Sequence, residues 1–256
     1  MNYLDQTFGL KGKVAMITGG NKGIGRALAI NLAKAGADLF ILTHHNENIE
    51  DMTNQIKTLG RKVEFTLGDL SKVEDAIESV EKCIKKMGKI DILVNNAGTI
   101  SRAPLLDGKV EDWNRVIDIN LNAVYHLSKI AAKYMIDQGS GKIINIASML
   151  SFQGGKLVPS YTASKHGVAG LTKAFANELA EKNIQVNAIA PGYIITANTN
   201  AIRSDEKRSA EILERIPANR WGETSDLGAA VVFLGSNASN YMNGHILAID
   251  GGWLVR

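Results

Sequence analysis

A tyrosine and a lysine stand four positions apart in the stretch "SYTASKHG" at residues 160–167. Residues four apart in a helix share one face, so the phenol of Tyr161 and the ammonium of Lys165 are predicted to be neighbours. A free phenol has a pKa of about 10, but a nearby positive charge favours the phenolate and lowers that pKa. The pair therefore predicts a group that gives a proton to a carbonyl oxygen and takes it back.

A glycine-rich turn, "TGGNKGIG" at residues 18–25, follows the apolar run "KVAMIT". Glycines at a strand-to-helix junction let the backbone turn sharply and approach a pyrophosphate, and the N–H groups of the next helix favour phosphate. The turn indicates a dinucleotide site, and a tight loop without a ligand is the alternative.

Short apolar runs alternate with longer amphipathic segments along the whole chain. Strands are predicted at about 13–18, 37–43, 62–67, 90–96, 142–148, 184–190 and 245–250. Helices are predicted at about 23–35, 47–59, 110–137, 160–181 and 225–235, with a further helix opening on a capping box of Ser71 and Glu74. This alternation predicts an α/β fold, a doubly wound (Rossmann) parallel sheet of about seven strands with helices on both faces. No linker divides the chain, so residues 1–256 are expected to form a single dinucleotide-binding and catalytic domain, with a substrate lid at about 192–223.

Composition narrows the class of protein. The 256 residues include 29 basic and 26 acidic ones in an interspersed pattern, which does not favour a nucleic-acid surface. No apolar run approaches the roughly 18 residues of a membrane span, and the amino-terminal stretch lacks the apolar core of a signal peptide. The single cysteine, Cys83, fits a reducing compartment, and the histidines show no metal-ligand spacing. We expect a cytoplasmic protein without metal, nucleic-acid or membrane partners.

Further motifs follow the glycine turn in a fixed order. They are "NNAG" at 95–98, Ser148 at the end of the fifth strand, "YTASK" at 161–165, "PGYIIT" at 191–196 and "DGG" at 250–252. This series resembles the short-chain dehydrogenase/reductase family over essentially the whole chain. The resemblance implies an NAD(P)-dependent oxidoreductase acting on a CH–OH group, and a homotetramer built through two long helices and the last strand.

The resemblance also implies four catalytic residues. Tyr161 would be the acid/base, and Lys165 would tune it and hold the nicotinamide ribose. Ser148 would bond the substrate oxygen, and Asn120 would keep a proton-relay water, with Asn122 as the alternative to Asn120.

Cofactor contacts carry over in the same way. The implied residues are Gly19, Asn21, Lys22, Ile24, Gly25, Asp69, Leu70, Asn96, Ala97, Gly98, Tyr161, Lys165, Pro191, Gly192, Ile194 and Thr196. The second strand ends at Thr43, His44 and His45 without a carboxylate that would repel a 2′-phosphate, and Lys22 favours NADP. The branch of the family considered next favours NAD, so both nucleotides stay open.

The segment at 197–222 and the stretch "SMLSFQGG" resemble the sugar-acid branch of the family. Its members interconvert keto and hydroxy forms of sugar acids such as 2-dehydro-3-deoxy-D-gluconate in uronate catabolism. A sugar-acid carboxylate suits an arginine, so Arg102 and Arg203 are substrate candidates, with Gln153 for a hydroxyl and Ser148 for the reacting oxygen. Arg208, Arg215 and Arg220 are expected in surface ion pairs.

Three alternatives remain beside this hypothesis. Two are enzymes of the same fold, a gluconate 5-dehydrogenase and a 3-ketoacyl thioester reductase. The third is a non-catalytic dinucleotide sensor, although such chains commonly lose the tyrosine or the lysine that are both present here.

Overall fold

Seven parallel strands form one sheet, at the places where the apolar runs predict them. The structure is a computed structural model that describes residues 2–256. The strands are β1 (Val14–Thr18), β2 (Asp38–Thr43), β3 (Val63–Leu67), β4 (Ile92–Asn95), β5 (Gly141–Ile146), β6 (Ile184–Pro191) and β7 (Ile246–Ile249). The helices are α1 (Tyr3–Phe8), α2 (Gly23–Lys34), α3 (Ile49–Thr58), α4 (Val73–Met87), α5 (Val110–Ile117), α6 (Ala123–Gln138), α7 (Pro159–Leu179), α8 (Asn200–Arg203), α9 (Glu206–Arg215) and α10 (Gly228–Gly235). The predicted fold class is confirmed.

Both faces of the sheet are buried, which explains why its strands are continuously apolar. Along β1, Ala15 and Ile17 pack into the core beneath α2 and α10, whereas Val14 and Met16 pack into the core beneath α4 and α6. Successive side chains of a strand point to opposite faces, so a strand covered on both sides has no polar alternation.

The order of the strands, β3-β2-β1-β4-β5-β6-β7, fixes where a ligand can bind. The direction of winding reverses between β1 and β4, and a crevice opens beyond the carboxyl ends of such strands. The two loops at this point are joined, because the backbone N–H groups of Asn96 and Ala97 donate to the Thr18 hydroxyl at 3.0 and 2.9 Å. The glycine turn and the "NNAG" segment therefore form one wall.

The long helix predicted over 110–137 is interrupted. A π-helical turn at Asp118–Asn122 separates α5 from α6 and buries Asn120. The Asn120 amide oxygen accepts from the N–H of Thr99 at 2.8 Å, and its amide nitrogen donates to the Thr99 carbonyl at 2.9 Å. Apolar periodicity does not reveal such a turn, because one extra residue per turn leaves the flanking helical patterns intact.

The predicted capping box at Ser71 and Glu74 is wrong. The N–H and hydroxyl of Ser71 both donate to the Asp69 carboxylate, at 3.0 and 2.8 Å, and α4 begins only at Val73. A nearer acceptor thus holds the serine two residues before the helix. Both bonds lower the pKa of the Asp69 carboxyl, and the bond from the Ser71 backbone has the larger effect.

No helix within residues 2–256 is both long and apolar enough to cross a membrane.

Buried polar side chains fasten two helices to the centre of the sheet. The Asn95 amide donates to the Ser128 hydroxyl at 3.0 Å and to the Asn145 amide oxygen at 2.8 Å. The Asn145 amide donates in turn to the Thr172 hydroxyl at 2.9 Å. All four residues are at most 3% exposed, so the bonds join β4 and β5 to α6 and α7 out of contact with water.

Replacing Asn145 with alanine should remove one of the two acceptors of the buried Asn95 amide and the donor to the buried Thr172 hydroxyl. We expect the free energy of unfolding to fall by about 2–3 kcal/mol, measured by urea denaturation. Asn54→Ala, at an exposed position of α3, is the control and should change it by less than about 0.5 kcal/mol. Equal unfolding midpoints for the two variants would show that the network adds no stability.

Candidate active site

One cavity of about 950 Å³ lies at the carboxyl edge of the sheet and extends from the glycine turn to the segment at 192–223. Most residues predicted from the sequence line it. They are Gly19, Asn21, Lys22, Ile24, Gly25, Asp69, Leu70, Asn96, Ala97, Gly98, Arg102, Ser148, Gln153, Tyr161, Lys165, Gly192 and Thr196.

Four predicted residues lie outside the lining of this cavity. Asn120 is buried behind it, Pro191 ends β6 opposite Ile249, and the Ile194 side chain packs into the apolar core. Arg203 is partly buried and donates to the Asn200 side chain at 3.3 Å. Arg102 is therefore the one of the two predicted arginines that faces the cavity.

The glycine turn is shaped for close approach of a phosphate. Gly19 has φ +63°, a conformation that side chains disfavour. A Cβ on Gly25 would lie 2.2 Å from the Gly19 carbonyl oxygen and 2.4 Å from the Asn96 amide, so only glycine lets α2 begin this close to the turn. Among residues 2–256, no side chain caps the amino terminus of α2, which leaves its N–H groups directed at the cavity edge. These residues fit the pyrophosphate of a dinucleotide.

The Lys165 ammonium lies inside the protein. Its Nζ donates to the Ile146 carbonyl oxygen at 2.6 Å and lies 5.5 Å from the centroid of the Tyr161 ring. Lys165 is only 5% exposed, and burial lowers its pKa to about 8. The predicted proximity of ammonium and phenol is confirmed, and β5 supplies the carbonyl that holds the ammonium.

The pKa of Tyr161 moves in the opposite direction from the one the sequence predicts. Burial raises it, while a hydrogen bond with Ser148 and the charge of Arg102 partly counter that effect. The same burial that brings Lys165 close also removes water from the phenolate, and this desolvation outweighs the charges nearby. The phenol of the protein alone is thus protonated at neutral pH.

Ser148 and Asn120 flank Tyr161 from two sides. Ser148 lies two residues after the end of β5 rather than at the end of the strand as predicted, and its hydroxyl accepts from the N–H of Leu150 at 3.1 Å. The Asn120 amide donates to the Ser164 hydroxyl at 3.2 Å, which donates to the Tyr161 carbonyl at 2.8 Å. Asn122 is turned away and donates to Asp118, so Asn120 is the asparagine that contacts the helix of Tyr161.

Sequence reasoning missed several residues at the end of the cavity away from the glycine turn. Tyr193, Arg208, Arg215 and Trp253 all line it. Arg208 forms the expected ion pair with Glu211 at 3.0 Å, but no carboxylate among residues 2–256 lies within ion-pair distance of Arg215. The only signal for this group in the sequence is a weak one, an isolated tryptophan directly after "DGG".

Comparisons with known proteins agree with this geometry. Residues 13–207 match the short chain dehydrogenase family. The chain is 55% identical, over all of both chains, to the 2-dehydro-3-deoxy-D-gluconate 5-dehydrogenase of Bacillus subtilis.

Two crystal structures are similar in fold and sequence. A candidate 2-deoxy-D-gluconate 3-dehydrogenase from Agrobacterium tumefaciens with bound NADP is 48% identical, with a TM-score of 0.92, over 98% of this chain and 99% of that one. A gluconate 5-dehydrogenase from Burkholderia cenocepacia in complex with NADP and tartrate is 36% identical, with a TM-score of 0.95, over the whole of both chains.

A family match over most of the chain, full-length relatives and the order of motifs around one cavity give the same result: the chain belongs to the short-chain dehydrogenase family.

Proposed function

We propose that the chain is an NAD(P)-dependent oxidoreductase that interconverts a keto and a hydroxy sugar acid, of the 2-dehydro-3-deoxy-D-gluconate 5-dehydrogenase type, in uronate catabolism. One observation carries the proposal: Ser148, Tyr161 and Lys165 meet in a cavity that continues into a glycine turn fitted to a dinucleotide. The full-length similarity to a relative of that name supports the substrate class.

The dinucleotide would lie along the crevice between β1 and β4. The glycine turn would hold its pyrophosphate, Asp69 its adenine, and Gly192 and Thr196 its carboxamide end, with Lys165 at the ribose. When bound, the nicotinamide supplies or accepts the hydride and, in its oxidised form, adds positive charge to the site. Pro191 and Ile194 do not line the cavity, so we expect them to contribute to binding of the nicotinamide only through the backbone of their segment.

Tyr161 moves the proton. Because burial keeps the phenol protonated at neutral pH, it can give its proton to the substrate oxygen during reduction. Oxidation requires the phenolate as proton acceptor, and the ammonium of Lys165 together with an oxidised nicotinamide would favour that form. Ser148, which bonds the phenol, would share that oxygen with it. Asn120 supports the helix of Tyr161 through Ser164, and a water at its amide would link this helix to solvent.

The segment at 192–223 would close over the substrate. Its two ends are joined where the N–H of Ile195 donates to the Gly222 carbonyl at 2.8 Å and the N–H of Gly222 donates to the Tyr193 carbonyl at 2.9 Å. Between these points α8 and α9 cover the cavity. We take the chain as one domain, because every strand belongs to one sheet.

A homotetramer and a cytoplasmic location complete the proposal. Exposed apolar side chains on α5 and α6, among them Val110, Trp113 and Ile136, support assembly through these helices, and β7 is an edge strand. The single cysteine of the chain fits a reducing compartment.

Tyr161→Phe should abolish proton transfer while keeping the ring. With 2-dehydro-3-deoxy-D-gluconate as substrate, we expect kcat to fall by about 10²- to 10⁴-fold, followed by nicotinamide absorbance. Dinucleotide binding, measured by calorimetry, should change little.

The matched control is Tyr241→Phe, at a fully exposed position, which should keep wild-type kcat. A Tyr161→Phe variant with undiminished turnover would remove the mechanism. A wild type that reduces a 3-ketoacyl thioester but no sugar acid would favour the alternative substrate class.

Nucleotide preference should depend on an ion pair at the mouth of the cavity. Lys22 Nζ lies 3.5 Å from the Glu47 carboxylate, and both side chains are exposed. Glu47→Gln removes the negative charge that competes with a 2′-phosphate for Lys22. We expect the KM for NADP to fall by about 3- to 5-fold and the KM for NAD to change little, because exposed pairs contribute at most about 1 kcal/mol.

Initial rates at varied nucleotide concentration measure this ratio. Glu50→Gln, an exposed carboxylate at the start of α3, is the control. Equal shifts for both variants, or for both nucleotides, would contradict a role for the pair.

A further inference from the structure

We propose that Arg215, whose guanidinium lies over the indole of Trp253, binds the carboxylate of the substrate and makes the site specific for acids. This inference rests on the proposed function, because it names the group that recognises the sugar acid. It assigns the task to an arginine that the sequence places among surface ion pairs.

Arg215 is oriented but its charge is not neutralised. Its guanidinium carbon lies 4.0 Å from the centroid of the Trp253 ring, and one terminal nitrogen donates to the Gln153 side chain at 3.4 Å. No carboxylate among residues 2–256 lies within 4.0 Å of the guanidinium. The planar fork therefore keeps donors for the two oxygens of a carboxylate.

Trp253 is a rigid support for this guanidinium. The indole is buried beside the Tyr193 ring, with ring centroids 4.9 Å apart, and packs with Ile212 and Ile216 in one apolar cluster. A side chain fixed on such a surface loses less rotational freedom when it binds a ligand than a free arginine does.

The chemical identity of Trp253 is itself informative. Its buried indole N–H has no hydrogen-bond partner among residues 2–256, an arrangement that costs about 1–3 kcal/mol and that phenylalanine would avoid. Of the aromatic residues, tryptophan binds a cation on its face most strongly. Support of Arg215 accounts for a tryptophan at this position.

The other arginines of the cavity are less suited to bind the carboxylate. Arg208 is paired with the Glu211 carboxylate at 3.0 Å. Arg102 donates to the Asn198 carbonyl at 3.3 Å and has no aromatic face beneath it among the described residues. Arg102 also adds positive charge next to Tyr161, which places it at the reacting end of the cavity. Arg115 on α5 also lines the cavity, but it is exposed and has no aromatic ring against its guanidinium among the described residues. Arg215 is therefore the arginine of the cavity that is best oriented for the remote carboxylate.

Gln153 extends the recognition to a hydroxyl. Its side-chain oxygen accepts from Arg215, so its amide nitrogen faces another direction within the cavity lining and can donate to a substrate oxygen. Carboxylate and neighbouring hydroxyl would be bound by two side chains that orient each other.

The test compares Arg215→Ala and Arg215→Lys with Lys207→Ala, which removes a charge from an exposed position of the same helix without touching the cavity. With 2-dehydro-3-deoxy-D-gluconate, Arg215→Ala should raise KM by about 10- to 100-fold and change kcat by much less. Arg215→Lys should recover part of that loss, since it keeps the charge but not the planar fork. Lys207→Ala should match the wild type.

A binding measurement separates this inference from the proposed function. Calorimetry with D-gluconate and D-gluconamide on the NADP-loaded protein should show that Arg215→Ala loses binding of the acid and leaves the weaker binding of the amide unchanged. If D-gluconate binding depends on Arg215 but no sugar acid is turned over, the inference stands and the proposed function fails.

Other outcomes overturn the inference. They are a wild-type KM in Arg215→Ala, an equal loss for acid and amide, an equal effect of Lys207→Ala, or no binding of D-gluconate by the wild type. Thermal melting of each variant checks the fold, and Arg215→Lys provides the comparison if the alanine variant is unstable.

Discussion

The ammonium of Lys165 is held inside the protein by the carbonyl oxygen of Ile146, at the end of β5. Burial of a charged group costs several kcal/mol unless it is hydrogen-bonded, so this contact fixes how α7 lies on the sheet. The helix carries Tyr161 and the strand leads to Ser148. One hydrogen bond between a strand end and a helix side chain thus brings the three groups of the proposed chemistry together.

The rest of the fold supports that contact from both sides. Below it, the buried amides of Asn95 and Asn145 join the central strands to α6 and α7. Beside it, the π turn around Asn120 connects the loop after β4 to Ser164 on α7. Above it, the glycine turn and the segment at 192–223 delimit one cavity, so a dinucleotide and a small acid would meet beside the phenol.

Much of this could be predicted from the sequence, because the determinants are local. Strands buried on both faces are continuous apolar runs, and glycines mark the phosphate turn, so the fold followed from periodicity. Most of the cavity lining followed from the resemblance of the motifs to the short-chain dehydrogenase/reductase family. The proximity of Tyr161 and Lys165 followed from helical spacing alone.

The remaining features depend on contacts between distant segments. The π turn arises from a bond between Asn120 and the Thr99 backbone, and Ser71 binds Asp69 rather than capping α4. The direction in which the pKa of Tyr161 shifts depends on burial of the phenol, and residue spacing in the sequence does not reveal burial. The contact of the Arg215 guanidinium with the face of Trp253 joins two distant segments of the chain, and no local pattern predicts it.

In the proposed mechanism, the buried ammonium of Lys165 makes hydride and proton transfer possible beside Tyr161. Single-turnover reduction of a 5-keto sugar acid by saturating NADPH in Lys165→Met tests it most directly, because methionine keeps the length of the buried chain and removes its charge. We expect the rate of transfer to fall by about two to three orders of magnitude. A wild-type rate in this folded variant would contradict it.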